Sequence, residues 1–226
     1  MERTAILIPA LNAAHLVGPV VQASLSQLPA VVVIDDGSND GTGAVAAKAG
    51  AQVLWHAQNL GKGAALRTGF AWALQHDYDA VITLDADGQH LPSEAGKFLA
   101  ARAESGADLI IGGRAHHFRF MLPRRRIANQ FSASSISIAS GVTVTDSQSG
   151  FRLYSATLLR SIELHADGFD MESEVIVRAG RRGFRIVTIP IELGFVDGVA
   201  TSHYKPVKDT LKIAWTVIKT RFDFRF

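Results

Sequence analysis

The N-terminal half of the chain alternates short runs of Val, Ile and Leu with longer Ala-rich stretches. That alternation is the pattern of strand-helix-strand units around a parallel sheet. Runs at residues 5–8, 31–34, 52–55, 80–84 and 109–111 predict five strands. Each is apolar nearly throughout, as expected of parallel strands covered by helices on both faces. Residues 64–75, with Leu66, Phe70, Ala73 and Leu74 on one side, predict an amphipathic helix.

The regularity fails after Gly112, where a basic stretch leads through Pro123 into a Ser/Ala/Ile-rich segment. Residues 127–140 predict a helix, 150–154 a strand, 172–181 a helix and 185–190 a further strand. The tail, 206–222, predicts a helix opening on Pro206, whose fixed φ suits a first helical position. Val207, Leu211, Trp215, Ile218 and Phe222 recur along it at helical spacing.

With 226 residues, 47% of them hydrophobic, the chain can build one sizeable core and not two. The expected organisation is a catalytic domain over 1–205, followed by a basic amphipathic helix over 206–226 that either packs on that domain or lies in a membrane interface. Zero Cys excludes disulfides, thiolate chemistry and a cysteine zinc site, which fits a reducing compartment. Met1 is not followed by a signal-peptide pattern, and no run reaches the roughly 18 apolar residues that span a bilayer. A cytoplasmic chain that does not cross a membrane is expected.

Twenty-three Lys and Arg against 21 Asp and Glu leave a net charge of +2, so no global basic field announces a nucleic-acid partner. The charges are unevenly placed, however. Five arginines and two histidines lie between Arg114 and Arg126 without one acid, and six Lys or Arg follow from Lys205 onward against Asp209 and Asp223.

In an open parallel sheet, ligands bind beyond the carboxyl ends of the strands. The first run ends in Pro9-Ala10-Leu11-Asn12, the second in Asp35-Asp36-Gly37-Ser38, and the fourth in Asp85-Ala86-Asp87-Gly88-Gln89-His90. Asp-Asp-Gly-Ser by itself is equally a turn and helix-capping sequence. Asp85 and Asp87 with Gln89 offer hard oxygen ligands of the kind Mg²⁺ or Mn²⁺ accepts together with substrate phosphates, and an unpaired acid pair at a buried strand end would be costly without a cation. Asn59-Leu60-Gly61-Lys62-Gly63 lacks the P-loop spacing, and Gly37 to Gly41 lacks the dinucleotide fingerprint, so neither an ATPase nor a nicotinamide enzyme is supported.

Taken together, Ile8-Pro9-Ala10-Leu11-Asn12, Ile34-Asp35-Asp36-Gly37-Ser38, Asn59-x-Gly61-Lys62-Gly63, Asp85-Ala86-Asp87-Gly88-Gln89-His90 and Asp146-Ser147-Gln148-Ser149-Gly150-Phe151-Arg152 resemble the family 2 glycosyltransferases, and among them the polyprenyl-phosphate mannose and glucose synthases. The likeness runs in order from Ile8 to about Lys208. It implies an α/β GT-A fold, a Rossmann-like three-layer arrangement with a mainly parallel central sheet. It also implies a nucleotide-sugar donor, UDP- or GDP-linked, held by Pro9, Leu11, Ile34, Asp35, Asp36, Asp85, Ala86, Asp87 and Arg114, with Asp87 and Gln89 on the metal. His203, Lys205 and Lys208 fall where related enzymes carry a basic motif over the donor phosphates. The family commonly has Tyr at position 11 and Glu at position 13; Leu11 and Ala13 here thin the base-side contacts.

The resemblance implies transfer of a hexose, with inversion, to a lipid phosphate at the inner face of the membrane, reached through the membrane surface or a small membrane partner. Arg124, Arg125 and Arg126 would suit the acceptor phosphate, because guanidinium groups bind phosphate with directed hydrogen bonds. A hydroxyl acceptor would instead need a base, and Asp146, the sole acid between Asp108 and Glu163, is the candidate. A third reading is a catalytically silent nucleotide-sugar-binding protein.

Overall fold

The computed structural model describes residues 2–114, 123–194 and 206–222, the side chains of 123–131 and 206–211 excepted. Among the described residues seven strands and eight helices follow one another: β1 (Thr4–Ala10), α1 (Ala14–Leu25), β2 (Val31–Asp35), α2 (Thr42–Lys48), β3 (Gln52–Trp55), α3 (Lys62–Gln75), β4 (Ala80–Thr83), α4 (Ala95–Ser105), β5 (Leu109–Gly113), α5 (Pro123–Ser140), β6 (Arg152–Ser155), α6 (Ala156–Ser161), α7 (Met171–Arg181), β7 (Ile186–Pro190) and α8 (Pro206–Phe222). A short 3-10 turn, Pro92–Glu94, precedes α4.

The strands form one sheet in the order β3-β2-β1-β4-β6-β5-β7. All neighbours are parallel except β6, which runs antiparallel to both β4 and β5. Six strands therefore deliver their carboxyl ends to one edge, and β6 begins there. Period-2 alternation divides the apolar residues between the faces. Leu7, Val32, Ile34 and Val81 pack with residues of α3, α5, α7 and α8, whereas Ile6, Ile8, Val33 and Ile82 pack with α1, α2 and α4.

Two expectations change. The run at 52–55 is not buried on both faces: β3 is one of the two edge strands and Trp55 is 61% exposed. The described part of the tail helix's apolar stripe is also not its packing face. Ile213 and Val217 enter the core shared with α5 and α7, and Trp215, Ile218 and Phe222 stay exposed on the other side. Among the described residues no helix is long and apolar enough to cross a membrane.

Candidate active site

At the carboxyl edge the two strand-end acid pairs meet different fates. Asp35 accepts hydrogen bonds from the Ser38 N–H (2.9 Å) and from the Gly43 N–H at the start of α2 (2.9 Å), so it ties its own turn to the next helix. Asp36 accepts from the Leu60 N–H (3.0 Å) and the Gly61 N–H (2.8 Å), and its Oδ1 lies 2.6 Å from His56 Nδ1. His56 Nε2 in turn meets the Thr68 hydroxyl at 2.9 Å. Both carboxylates are buried and spent on loop closure. The turn reading of Asp-Asp-Gly-Ser is present in this geometry, with Asp35 also reaching the first turn of α2.

Asp85 and Asp87 have no such ring of amides. Lys62, the first residue of α3, places Nζ 2.6 Å from Asp85 Oδ1 and 3.1 Å from Glu172 Oε1 in the first turn of α7. Burial alone would raise the Asp85 carboxyl; Lys62 and Arg114 outweigh it and bring it down to about 2. Burial would likewise lower Lys62, but the two carboxylates hold it above the ordinary lysine value. The cation that the buried strand end requires is thus in part the protein's own lysine. Asp87 is left on the other side of that balance. Burial and the adjacent Asp85 charge raise its carboxyl above the ordinary value, while Oδ1 accepts the Gln89 N–H at 3.0 Å.

His90 closes the turn from behind. It is buried, receives the Asp85 N–H on Nδ1 at 3.2 Å, and tilts against Phe151. Burial pushes its imidazole down to about 4 against the pull of Asp85, so it is neutral at pH 7. Gly150 leaves room for the Lys62–Asp85 pair: a Cβ there would lie 2.8 Å from Asp85 Oδ2 and 2.9 Å from Lys62 Nζ. Arg152, fully buried, donates to the carbonyls of Ser147, Ser149 and Glu172 at 2.7 Å each and fixes the 147–150 loop to α7.

Arg114 follows β5 and meets Asp146 in a bidentate pair, Nε to Oδ2 at 2.8 Å and Nη2 to Oδ1 at 3.0 Å. The Arg114 and Gln148 N–H groups complete four hydrogen bonds to this buried carboxylate. Burial opposes both charges, but their attraction wins, raising Arg114 and lowering Asp146. A general base needs an open lone pair and an affinity for protons. Asp146 has its oxygens committed to these four hydrogen bonds and its carboxyl lowered, and in this geometry it holds the Arg114 guanidinium in place.

Other expected contacts are redistributed. Ile34 is fully buried beneath α3 and Ala86 is buried in the opposite face of the core, so their side chains offer no surface to a nucleotide. Pro9 and Leu11 are half-buried at the end of β1. Arg124, Arg125 and Arg126 open α5, and Lys208 lies near the start of α8; their side chains are outside the described residues, as are His203 and Lys205 altogether. The amides at the start of α3 are not free for a phosphate, because Gly63 and Ala64 donate to the Asp167 carbonyl at 2.7 and 3.3 Å. Lys62 and Arg152 stand in quoted motifs, but the sequence assigned no role to them or to Glu172; Lys62 and Glu172 lie far apart in the chain, and nothing local signals their pairing.

The donor set at Asp87 and Gln89 fits a hard divalent cation: oxygen atoms, partial burial and a surplus of negative charge. Among the described residues no three acids or histidines gather into a self-sufficient cage, so phosphate oxygens would have to complete the coordination.

The family model for glycosyl transferase family 2 matches residues 5–162. The polyprenol monophosphomannose synthase of Mycolicibacterium smegmatis is 33% identical over 238 residues, covering 98% of this chain and 89% of that protein. An undecaprenyl-phosphate mannosyltransferase of Micrococcus luteus is 35% identical over 172 residues, covering 71% of this chain and 70% of its own. Among solved structures, glucosyl-3-phosphoglycerate synthase from Mycobacterium tuberculosis, in complex with Mn²⁺, UDP and phosphoglyceric acid, superposes with a TM-score of 0.74 at 20% identity, over 97% of this chain and 77% of that one. The fold is GT-A-like, with the mostly parallel sheet expected of it. A site of strand-end carboxylates facing an arginine, in a chain this similar to sugar transferases along nearly its whole length, leads to one assignment: the chain belongs to glycosyltransferase family 2.

Proposed function

We propose that the protein transfers a hexose from a UDP- or GDP-sugar to a polyprenyl phosphate, with inversion and with Mg²⁺ or Mn²⁺, at the cytoplasmic face of the membrane. The observation that carries this reading is the division of charge at the carboxyl edge. Asp85 is neutralised internally by Lys62, Asp87 is left with excess negative charge, and Arg114 is held across from them by Asp146. Such an arrangement suits a diphosphate bound together with a cation.

Asp87 and Gln89 would hold the cation, which when bound supplies charge stabilisation to the departing nucleoside diphosphate. Arg114 adds a guanidinium close enough to lower the Asp85 carboxyl, oriented by Asp146. In the transfer, an acceptor oxygen forms a bond to the sugar C1 as the C1–O bond to the diphosphate breaks, so the nucleoside diphosphate leaves and the anomeric configuration inverts. A phosphate acceptor is already ionised and needs no base. The four hydrogen bonds to Asp146 favour that acceptor over a hydroxyl, and two relatives are named for polyprenol or undecaprenyl phosphate.

Purified protein with Mn²⁺, a panel of UDP- and GDP-sugars and undecaprenyl phosphate should release nucleoside diphosphate and form the glycolipid. Asp146→Asn should then lower turnover through misplacement of Arg114 without altering its dependence on pH. Turnover on a hydroxyl acceptor that disappears with Asp146→Asn along one limb of the pH profile would replace this reading with base catalysis.

A further inference from the structure

Beyond β7 the chain does not leave the sheet edge at once. The Ile191 N–H donates to the Gly113 carbonyl at 3.2 Å, immediately before Arg114. Three residues on, the Gly194 N–H donates to the Gln89 carbonyl at 2.9 Å, and Leu193 forms an antiparallel bridge with His90. Between them the Glu192 N–H donates to Glu94 Oε2 at 3.1 Å. Four consecutive residues are thus pinned at one end to the strand that delivers Arg114 and at the other to the turn that carries Asp87 and Gln89. We infer that residues 191–194 are a splint that sets the span between that turn and the Arg114 guanidinium, with Glu94 and Gly194 as its positioning residues. The inference rests on the reading that Asp87 and Gln89 hold a divalent cation beside a diphosphate.

Both positioning residues are chosen for this contact. The last register pair between β5 and β7 is Gly113 with Pro190, so the Glu192 amide lies past the ladder. A buried amide still needs an acceptor, and the buried Glu94 carboxylate supplies one while Lys97 Nζ, 2.6 Å away, balances its charge. At Gly194 a Cβ would lie 3.0 Å from the Gly88 carbonyl oxygen and 3.1 Å from Leu91 Cδ2, so the absence of a side chain is what lets the two backbones meet. The turn has little room to yield. Gly88 sits at φ +74°, and the Gln89 N–H is already given to Asp87 Oδ1 at 3.0 Å. A cation on Asp87 and Gln89 and a diphosphate reaching Arg114 would span both ends of the splint, and small errors in such a span are costly.

The full chain is titrated with Mn²⁺ in the presence of UDP and then of GDP, and the bound ion is read by electron paramagnetic resonance. Glu94→Ala and Gly194→Val should each weaken Mn²⁺ binding about tenfold. Glu94→Gln, which keeps an oxygen for the Glu192 N–H, should bind nearly as the parent does. Gly194→Ala should give a smaller loss in the same direction, and it carries the test if the valine variant does not fold. Ile186→Ala, at the far end of β7 and packed against the core, should lower the thermal midpoint and leave Mn²⁺ binding alone. Unchanged binding in both Glu94→Ala and the Gly194 variants, or an equal loss in Ile186→Ala, would overturn the inference and leave the cation site standing. A parent chain that binds no Mn²⁺ with either nucleotide would remove the cation reading, and the splint with it.

Discussion

Two acid pairs end neighbouring regions of the same sheet edge, and their surroundings differ: the first is answered by the loops around it, the second is answered much less from within. Asp35 and Asp36 are met by backbone N–H groups of residues 38, 43, 60 and 61 and by His56, so their charge is consumed by the loops they close. Among the described residues, Asp85 meets Lys62 and, at 3.8 Å, the His90 ring, and Asp87 receives one amide. A buried carboxylate stabilises a fold when its lone pairs are answered from within and seeks an external cation when they are not. The residue types are the same; the supply of donors from the following loop separates the two roles.

The comparison breaks first at Asp87. Asp87→Ala should lower turnover about a thousandfold while leaving the thermal midpoint nearly unchanged, as steady-state kinetics and calorimetry would measure. Loss of folding with retained specific activity would reverse the assignment.

Asp36→Ala should do the opposite. It strands the Leu60 and Gly61 amides and the His56 ring, and should cost about 3 kcal/mol in urea unfolding. An Asp36→Ala chain as stable as the parent would show that these loops do not depend on the pair.

The pH dependence sharpens the same contrast through His90. Its folded value is lowered to about 4, below the roughly 6.5 of an unfolded histidine. The unfolded chain therefore binds the proton first, and stability is lost as pH falls from about 6.5 toward 4. Between pH 7 and pH 5 this group should contribute about 2 kcal/mol of that loss. His90→Gln, which keeps an acceptor near the Asp85 amide, should flatten the slope in urea titrations; an unchanged slope would contradict the assigned burial.

A smaller effect is expected at Gly150. The Cβ of Gly150→Ala would push into the Lys62–Asp85 pair, and should weaken nucleotide-sugar binding about tenfold in isothermal titration. Full affinity in that variant would mean that the pair's position is unimportant.

Much of this frame was readable in the chain. Apolar runs bounded by Asp-Asp-Gly-Ser and Asp-Ala-Asp placed the strand ends and hence the edge where chemistry gathers. The antiparallel insertion of β6 was not readable, because Arg152-Leu153-Tyr154-Ser155 is short and its buried arginine is satisfied only by carbonyls brought from α7 and the preceding loop. The resemblance set Ile34 against the donor; strand alternation turns its side chain into the core beneath α3. The role of Lys62 was hidden behind a failed P-loop pattern, since its partners Asp85 and Glu172 come together only in three dimensions. Helical spacing found the stripe on α8 but could not say which side faces the protein, because Ile213 and Val217 form a second apolar line on the same helix.

The central claim is that Asp87, and not the superficially similar Asp36, belongs to a divalent-cation and diphosphate site. The most direct measurement is Mn²⁺ binding by electron paramagnetic resonance, with UDP and GDP added in turn, on the parent protein, Asp87→Asn and Asp36→Asn. Nucleotide-enhanced Mn²⁺ binding should persist in folded Asp36→Asn and vanish in Asp87→Asn. Equal binding by Asp87→Asn and the parent would contradict the account.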